Sequence, residues 1–354
     1  MTTRPPYSTE EMRRQVRALA PEFRQVVDHL ARTTADGLLD APLRGIRRVV
    51  LTGNGDSYHA ARAAELAFER IGGVACEPLS AQRFLDHGLD GPGGSGPDTL
   101  VVGISASGTS GPVVRVLEEA ARRGTPTVAV TASEGSPVTR VADVGLIAPT
   151  GPRQASPGIL TYQASLAALF VTAIRLGSRQ DAQESLLDEL RAVGDAVRAT
   201  VDGSAAACDE LARELADGSG PLVVTGTGPQ AGTAKFAAAK VVEACGLPAF
   251  AQDLEEWWHV ERFALPRDSP LVVLAPPGAS HARAVDLVAR ATGIGRRVVA
   301  VARHDDPAVA GAHRVLPTHG EIREEWSPLV DHVFAGLLGA GLGDALGRVP
   351  FSTR

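Results

Sequence analysis

The sequence predicts an α/β protein in which two doubly wound parallel sheets are joined by helices, and three observations support that prediction. Short apolar, β-rich runs alternate with helical stretches, which is the order that produces a parallel sheet covered by helices. The chain has 354 residues, more than a single hydrophobic core usually serves. Strand patterns of the first half also recur in the second half. Each half is therefore expected to be a three-layer sandwich of the flavodoxin-like or Rossmann-like kind.

The first half begins with a helix and then alternates strands with helices. Residues 1–6 indicate a loose end, and residues 9–30 carry apolar side chains at helical spacing, either as one helix or as two broken at Pro21. Residues 48–52 form an apolar strand that runs into a Gly-rich turn and an Ala-rich helix at 59–71. Further strands are predicted at 74–77, 100–104, 127–131 and 144–148.

The second half repeats the first at a nearly constant offset. The letters VVLTGNG at 49–55 are echoed by LVVTGTG at 222–228, so Gly226 follows Gly53 by 173 positions. Two later strand patterns, LVV and VAV, recur with an offset of 171 positions. Offsets this constant over three elements indicate a duplicated domain.

Helices are expected to connect the two copies. An Ala/Leu-rich helix is predicted at 160–176, a long amphipathic stretch at 181–215 and a boundary loop at 217–221. The predicted organisation is an N-terminal helical segment (1–45), a first domain (46–178), linking helices (179–218), a second domain (219–320) and a C-terminal helix and tail (321–354).

Composition and charge exclude several classes of protein. Acidic residues outnumber basic ones, 41 to 35, and the net charge of −6 is not gathered into blocks, so nucleic acid is not an expected partner. The three cysteines have neither paired metal spacing nor a disulfide-dense count, which fits reduced thiols in a cytoplasm. The N-terminus lacks an apolar segment, and no later run of about 18 apolar residues occurs. We therefore expect a cytoplasmic protein without a membrane partner.

The most informative stretch is VVGISASGTSGP at 101–112, where an apolar strand runs into hydroxyls and glycines before a helix. Small residues let the backbone approach a ligand, and the helix start offers unpaired N–H groups and the positive end of a dipole. Further hydroxyl donors belong to Ser105, Ser107, Thr109 and Ser110. The stretch predicts an anion site, and phosphate is the expected ligand. The alternative is an ordinary helix capped by Ser or Thr after a strand.

The second copy differs at this position and carries other chemistry. Its loop reads APPGAS at 275–280, where two prolines replace hydroxyl and N–H donors, so only the first copy is expected to bind the anion. Its first helix carries Lys240 and Glu243, and the segment DLEEWWHVER at 253–262 includes His259. Acid–base chemistry is expected from this copy. Glu243 could instead be a solvated acid or an ion-pair partner, and His259 could pack against the adjacent tryptophans.

These motifs resemble those of the sugar isomerase (SIS) domain family, which includes the isomerase portion of glucosamine-6-phosphate synthase and related sugar-phosphate isomerases and deglycases. The resemblance spans nearly the whole chain as a tandem pair of SIS domains. It implies that the loop SASGTS at 105–110 binds sugar phosphate and that Ser57, in the turn GDSY, adds a hydroxyl. Ser156 aligns with the serine of the family's Ala-Ser-Thr-Lys segment. The resemblance further implies that Glu243 is the general base and His259 a second acid–base group.

The chain departs from the family pattern in two places. The lysine of the Ala-Ser-Thr-Lys segment is replaced by Gly158, and the chain ends in RVPFSTR rather than in the lysine with which the synthase forms a Schiff base. The sequence also shows no amidotransferase half, so synthesis of glucosamine phosphate from glutamine is not expected.

The resemblance implies an aldose–ketose isomerase. One base would move a proton from C2 to C1 through an enediol(ate), an acid would open the ring, and phosphate binding would hold the sugar in place. The same groups would serve a deglycase or deaminase of amino-sugar phosphates, and a non-catalytic sugar-phosphate regulator is a further alternative. All three remain open at this point, as do sulfonate and carboxylate in place of phosphate.

No cofactor or metal is expected. Glu255 and His259 have helical i,i+4 spacing, but no third ligand lies at useful spacing. The turn at Gly53 resembles a dinucleotide-binding turn, yet Tyr58 replaces its third glycine, which leaves NAD as the weaker alternative. The resemblance implies a homodimer with sites completed across a two-fold interface, in which His259 acts in its own or in the neighbouring subunit.

Overall fold

The structure is a computed structural model that describes residues 7–151, 153–177, 180–218 and 220–352. The loose end expected at residues 1–6 lies outside them, as do residues 353–354 of the predicted tail. The strands are β1 (Arg48–Gly53), β2 (Ala75–Ser80), β3 (Thr99–Ile104), β4 (Thr127–Thr131), β5 (Val144–Ile147), β6 (Leu222–Thr225), β7 (Ala249–Gln252), β8 (Pro270–Leu274), β9 (Arg297–Arg303) and β10 (Arg314–Thr318).

The helices alternate with these strands, as the sequence predicts. They are α1 (Thr9–Ala35), α2 (Asp40–Leu43), α3 (Asp56–Arg70), α4 (Ala81–Arg83), α5 (Gly111–Arg122), α6 (Pro137–Val141), α7 (Leu160–Gly177), α8 (Gln180–Leu215), α9 (Pro229–Cys245), α10 (Leu254–His259), α11 (His281–Gly293), α12 (Pro328–Asp331) and α13 (Val333–Ala345).

The chain divides into two compact units. We call the predicted anion loop at 105–110 the cradle and the unit that contains it the cradle unit. The cradle unit comprises Pro21–Gly151 and Leu160–Gly194, and the C-terminal unit comprises Met1–Ala20, Pro152–Ile159 and Asp195–Arg354. This division differs from the predicted domain bounds because the long helices α1 and α8 each contribute residues to both units. The predicted linking helices form one continuous helix of 36 residues, and α1 continues through Pro21 without a break.

The cradle unit contains a parallel sheet in the order β2-β1-β3-β4-β5. Strand β3 is buried along its whole length, because helices cover both faces of the sheet. Helices α3 and α7 pack together on one face, while α5 and α6 pack over the apolar cluster on the other. The predicted doubly wound α/β fold is confirmed.

The C-terminal unit contains a second parallel sheet in the order β10-β9-β8-β6-β7. In each sheet the first strand, β1 or β6, lies between the second and third strands of its own copy. The turns after these strands match closely, since Gly55 has φ 53° and ψ −128° and Gly228 has φ 57° and ψ −132°. Two sheets with the same order and the same turn support the duplication read from the sequence.

Helix α7 has the length and apolar composition of a membrane span. It is 18 residues long with a mean hydropathy of 1.2, but 78% of it is buried inside the protein. A core helix of a globular unit has the same properties. Among the described residues it alone meets the length and composition criteria.

Candidate active site

The predicted anion site lies where the strand order of the cradle unit reverses. Strands β1 and β3 are paired neighbours, with Thr52 opposite Gly103, so the loops that follow them emerge side by side. Asn54, in the first loop, donates a hydrogen bond from Nδ2 to Ser110 Oγ in the second at 3.4 Å. The crevice beyond such a reversal point is where doubly wound sheets bind ligands.

Two helices begin at this crevice without a side-chain cap. Helix α3 starts after Gly55 and α5 starts after Ser110, and neither of these residues makes a side-chain capping bond. The first N–H groups of a helix lack intrahelical partners, and the aligned peptide dipoles make that end positive. An anion in the crevice would therefore be favoured by both helix ends at once.

The hydroxyls of the SASGTS loop fall into two groups. Ser107 and Thr109 are exposed, and their oxygens lie 2.8 Å apart in a hydrogen bond to each other. Ser105 is only 4% exposed, and its Oγ accepts the N–H of Ser110 at 3.4 Å. The Ser107 and Thr109 hydroxyls are therefore accessible to a ligand, whereas the buried Ser105 hydroxyl stabilises the loop through its hydrogen bond with Ser110.

The loop also depends on Ser136, a residue that the sequence interpretation missed. Gly108 has φ +71°, and a Cβ built on it would lie 2.2 Å from Ser136 Oγ. Ser136 is 7% exposed, and its Oγ has no hydrogen-bond partner among the residues that the structure describes. The Ser-Pro pair that starts α6 was the available signal for this residue. Only glycine fits at position 108, because any side chain would meet Ser136 in a strained backbone conformation.

The structure places the remaining predicted ligand residues in different units. Ser57 lies half-buried in the first turn of α3, where its N–H donates to the Asn54 carbonyl at 3.2 Å. A Cβ on Gly53 would lie 2.7 Å from Ser57 Cβ, so Gly53 allows that close approach. Ser156 belongs to the C-terminal unit, and its Oγ donates to the Pro157 carbonyl at 3.0 Å.

Glu243 lies in the last turn of α9, in an ion pair with Lys240. The Lys240 side chain is completely buried, with Nζ 5.0 Å from the centre of the Phe236 ring, whereas the Glu243 side chain is 29% exposed. A buried ammonium group needs a partner, since burial of an isolated charge is costly. The pair therefore fixes the carboxylate while leaving part of it open to solvent.

His259 ends the short helix α10 and is largely exposed, with 63% of its side chain accessible. Its Nε2 lies 3.0 Å from Glu255 Oε1. Arg283 also bonds to Glu255, and this hydrogen bond, assisted by His259, lowers the pKa of that carboxyl. His259 is thus held against an anionic carboxylate, with most of its side chain open to solvent.

Glu243 and His259 lie on opposite faces of the second sheet. Helix α9 packs against α13 on one face. Helix α10 packs against α11, and Trp257 joins the apolar cluster between α11 and the strands on the other face. Glu243 is also 14 residues into α9, about 21 Å from the end that meets the carboxyl edge of the sheet. Within one chain the sheet separates these two residues.

The counterpart of the cradle in the C-terminal unit is filled by the protein itself. Ala275 follows β8 as Ser105 follows β3: the Ser105 N–H donates to the Val130 carbonyl in β4, and the Ala275 N–H donates to the Val301 carbonyl in β9. Gly278 takes the place of Gly108. The Ala279 N–H donates to Glu324 Oε1 at 2.9 Å, and a Cβ on Gly278 would lie 2.4 Å from Glu324 Cδ. The Glu324 carboxylate therefore occupies the loop at 275–280, which corresponds to the predicted anion loop of the cradle unit.

The position of Ser57 in the second copy is taken by Gln230, which is buried in a polar network. Its Nε2 donates to Ser327 Oγ at 2.7 Å and to Asp331 Oδ2 at 2.9 Å. Burial raises the pKa of Asp331 to about 8, against the opposing effect of the Gln230 bond. Burial lowers the pKa of the adjacent His332 to about 3. At neutral pH both side chains are therefore predominantly uncharged.

No group of three or more His, Cys, Asp or Glu side chains suited to a metal occurs within the described ranges. Cys76, Cys208 and Cys245 are free and buried, and burial raises the pKa of each thiol. A raised thiol pKa disfavours the thiolate, which is the form that attacks electrophiles or binds metals.

Residues 43–175 match the SIS domain family. Over 324 residues the chain is 28% identical to a protein from Aeropyrum pernix named glutamine–fructose-6-phosphate aminotransferase [isomerizing], covering 90% of the chain and 51% of that relative. A relative of the same name from Thermococcus kodakarensis is 26% identical, with 87% and 51% covered. The chain spans about half the length of the curated relatives it matches.

Solved structures show the same fold. The C-terminal domain of glucosamine-fructose-6-phosphate aminotransferase from Francisella tularensis superposes with a TM-score of 0.84 at 16% identity, covering 96% of this chain and 97% of that one. Tagatose-6-phosphate ketose/aldose isomerase from Escherichia coli gives a TM-score of 0.73 at 16% identity, with 96% and 94% covered. Residues 43–175 therefore match a SIS domain, and the chain as a whole is similar in sequence to isomerizing aminotransferases and in fold to phosphosugar isomerases.

Proposed function

We propose that the protein is an aldose–ketose isomerase of phosphorylated sugars. The observation that supports this most strongly is the contrast between the two copies at the end of their third strand. In the cradle unit, two uncapped helix ends and the exposed pair Ser107 and Thr109 are free to bind an anion. In the C-terminal unit, Glu324 occupies the equivalent loop. One open anion site per chain fits one phosphorylated substrate.

We assign the proton transfer to Glu243. Its carboxylate would take the proton from C2, leaving an enediolate, and would return that proton to C1. The ion pair with buried Lys240 fixes the orientation of the carboxylate, and its partial exposure leaves an oxygen available to substrate. Phosphate binding in the cradle supplies binding energy remote from the reacting carbons, which reduces the entropy lost in reaching the transition state.

We assign ring opening to His259 of a second copy in a homodimer. Since the second sheet separates His259 from Glu243 within one chain, the two groups would act on one sugar only if His259 came from a partner. Large apolar side chains follow it on the surface: Val260, Phe263 and Leu265 are 60%, 70% and 77% exposed. Exposed apolar patches of this kind mark protein interfaces.

A deglycase acting on amino-sugar phosphates is the second candidate. The curated relatives carry names of aminotransferases that act on fructose 6-phosphate, which favours a substrate with an amine at C2. In that reaction the same base would take the proton from C2 to give an enaminol, and protonation at C1 would give an imine at C2. Water would then hydrolyse this imine to the ketone and release ammonia. The anion site and Glu243 would keep the roles assigned above.

The test is turnover of defined substrates. Purified protein is incubated in heavy water with fructose 6-phosphate, tagatose 6-phosphate and glucosamine 6-phosphate, while NMR follows deuterium entry at C1 and C2 and a coupled assay follows ammonia. Exchange without ammonia supports the isomerase, and ammonia release supports the deglycase. Binding of a sugar phosphate with neither exchange nor ammonia would refute both and identify a regulator.

A further inference from the structure

The last turn of α9, which carries Glu243, is bound by the C-terminal segment of the chain. The final carbonyls of a helix have no partners within the helix. Gly246, with φ 68°, caps α9 by donating its N–H to the Val242 carbonyl at 2.8 Å. The next carbonyls are taken from outside: Phe351 N–H donates to the Glu243 carbonyl at 2.7 Å, and the Arg348 guanidinium donates to the Cys245 carbonyl.

The binding segment, Arg348 to Ser352, is itself held in a defined conformation. Arg348 N–H donates to the Gly343 carbonyl at 2.8 Å, and Ser352 N–H donates to the Val349 carbonyl at 3.1 Å. Phe351 has φ 59°, a value that non-glycine residues rarely adopt. Such a conformation is strained and persists only where the surroundings impose it.

The aromatic ring of Phe351 supplies one of those surroundings. It makes an edge contact with Tyr7, with ring centres 4.9 Å apart and planes at 69°. The segment is thus fixed at three points: the end of α13, the N-terminal Tyr7 and the end of α9. Because these contacts fix the conformation of Phe351, they also fix the position of its N–H. The Glu243 carbonyl, which accepts the hydrogen bond from this N–H, is fixed with it.

We propose that the segment Arg348–Ser352 is a positioning element for Glu243, with the Phe351 N–H as its principal contact. This proposal rests on the role of Glu243 in the proposed function. The Phe351 N–H binds the carbonyl of Glu243 itself, while Lys240 holds the carboxylate of the same residue. Main chain and side chain of Glu243 are therefore fixed by separate partners. Small displacements of a catalytic group lower the rate strongly, because reacting atoms must meet within a narrow geometry.

The test compares two substitutions of one residue. Phe351→Pro removes the N–H and cannot adopt a positive φ. Phe351→Gly keeps the N–H, adopts φ 59° without strain and loses only the ring. With fructose 6-phosphate, we expect Phe351→Pro to lower kcat for C1/C2 exchange by about 10- to 100-fold with KM changed less than about 3-fold. Phe351→Gly, which loses the ring contact with Tyr7 but keeps the N–H, should lower kcat clearly less than Phe351→Pro. The control Asp202→Asn, on the exposed surface of α8, should stay within about 3-fold of the unmodified protein.

A second variant guards against misfolding of the proline variant. Arg348→Ala removes the bond to the Cys245 carbonyl without demanding a new backbone conformation, and it should lower kcat in the same direction. Folding of every variant is verified by tryptophan fluorescence and circular dichroism. If Phe351→Pro and Arg348→Ala both match the unmodified protein in kcat, or if Phe351→Gly is as impaired as Phe351→Pro, the positioning role is overturned.

A readout without turnover separates this proposal from the proposed function. In protein labelled with ¹³C at glutamate carboxyl carbons, the Glu243 resonance is assigned by its loss in Glu243→Gln and titrated with pH. Phe351→Pro should move the titration midpoint by more than about half a pH unit, and Phe351→Gly should not. Absence of exchange in the unmodified protein would refute the proposed function alone, and an unmoved Glu243 titration in Phe351→Pro would then overturn the positioning role.

Discussion

Replacement of Asp331 by Asn should remove a pH dependence from the stability of the C-terminal unit. Burial raises the pKa of Asp331 from 3.8 to about 8, so between these values the folded state keeps a proton that the unfolded state releases. The stability that this proton confers is complete below about pH 4 and is lost as the pH rises toward 8. One proton corresponds to about 1.4 kcal/mol per pH unit, or about 2.7 kcal/mol between pH 5 and pH 7.

The comparison between the two proteins isolates Asp331 from its neighbour. The pKa of His332 is lowered to about 3 by burial, so its contribution is lost as the pH falls below about 6.5 and opposes that of Asp331 in part of the range. Subtracting the free energy of unfolding of Asp331→Asn from that of the unmodified protein cancels the histidine contribution. Asn also matches a protonated carboxyl in shape and can still accept the bond from Gln230.

The assay is urea unfolding at pH 5, 6, 7 and 8, followed by tryptophan fluorescence. All three tryptophans, Trp257, Trp258 and Trp326, lie in the C-terminal unit, so the signal reports on that unit alone. Asp202→Asn, a substitution on the exposed surface of α8, serves as the control and should show no such trend. A difference between unmodified protein and Asp331→Asn that stays constant across this pH range would refute the reasoning.

Four further predictions concern the site and its counterpart. Ser107→Ala should weaken fructose 6-phosphate binding by about 1–3 kcal/mol in calorimetry with unchanged melting; unchanged affinity would remove this loop from the site. Glu243→Gln should lower C1/C2 exchange at least about 100-fold with substrate still bound; persisting exchange would make Glu243 structural. Mixing Ser107→Ala chains with His259→Ala chains, at a fructose 6-phosphate concentration too low for the Ser107→Ala chains to bind it, should restore part of the exchange if His259 serves the partner, and a monomer by light scattering would contradict this. Glu324→Ala should destabilise the C-terminal unit by about 0.5–1.5 kcal/mol in urea unfolding, because the exposed Ala279 N–H exchanges its bond to the carboxylate for one to water; no loss would show that this hydrogen bond does not stabilise the unit.

The strands, their parallel pairing and the position of the hydroxyl-rich loop between β3 and α5 could be predicted from the sequence because they depend on local patterns. The apolar run that forms β3 has to be covered on both faces, and the hydroxyl-rich letters after it have to lie at a strand end. The same patterns gave Ser105, Ser107, Thr109 and Ser110 alike as hydroxyl donors. They could not distinguish Ser105, because its burial beneath the loop depends on how the chain turns at Gly108.

Polar groups that become buried through contacts between distant parts of the chain could not be predicted from local patterns. In the sequence, Asp331 and His332 are simply two polar residues before an apolar helix. No neighbouring residue indicates that Gln230, about a hundred positions earlier, will form a hydrogen bond with Asp331. Their shifted pKa values arise from burial, which is a property of tertiary packing. The residues adjacent to Asp331 and His332 in the sequence therefore do not predict this burial.

The separation of Glu243 from His259, by contrast, follows from topology. In a parallel sheet each crossover is right-handed. The helix that leads from β6 outward to β7 and the segment that returns from β7 past β6 to β8 must therefore cross opposite faces. A residue in the first connection and a residue in the second connection therefore lie on opposite faces of the sheet within one chain. A reaction that needs both groups at one sugar consequently requires a second copy, which makes the oligomeric state of this protein part of its proposed mechanism.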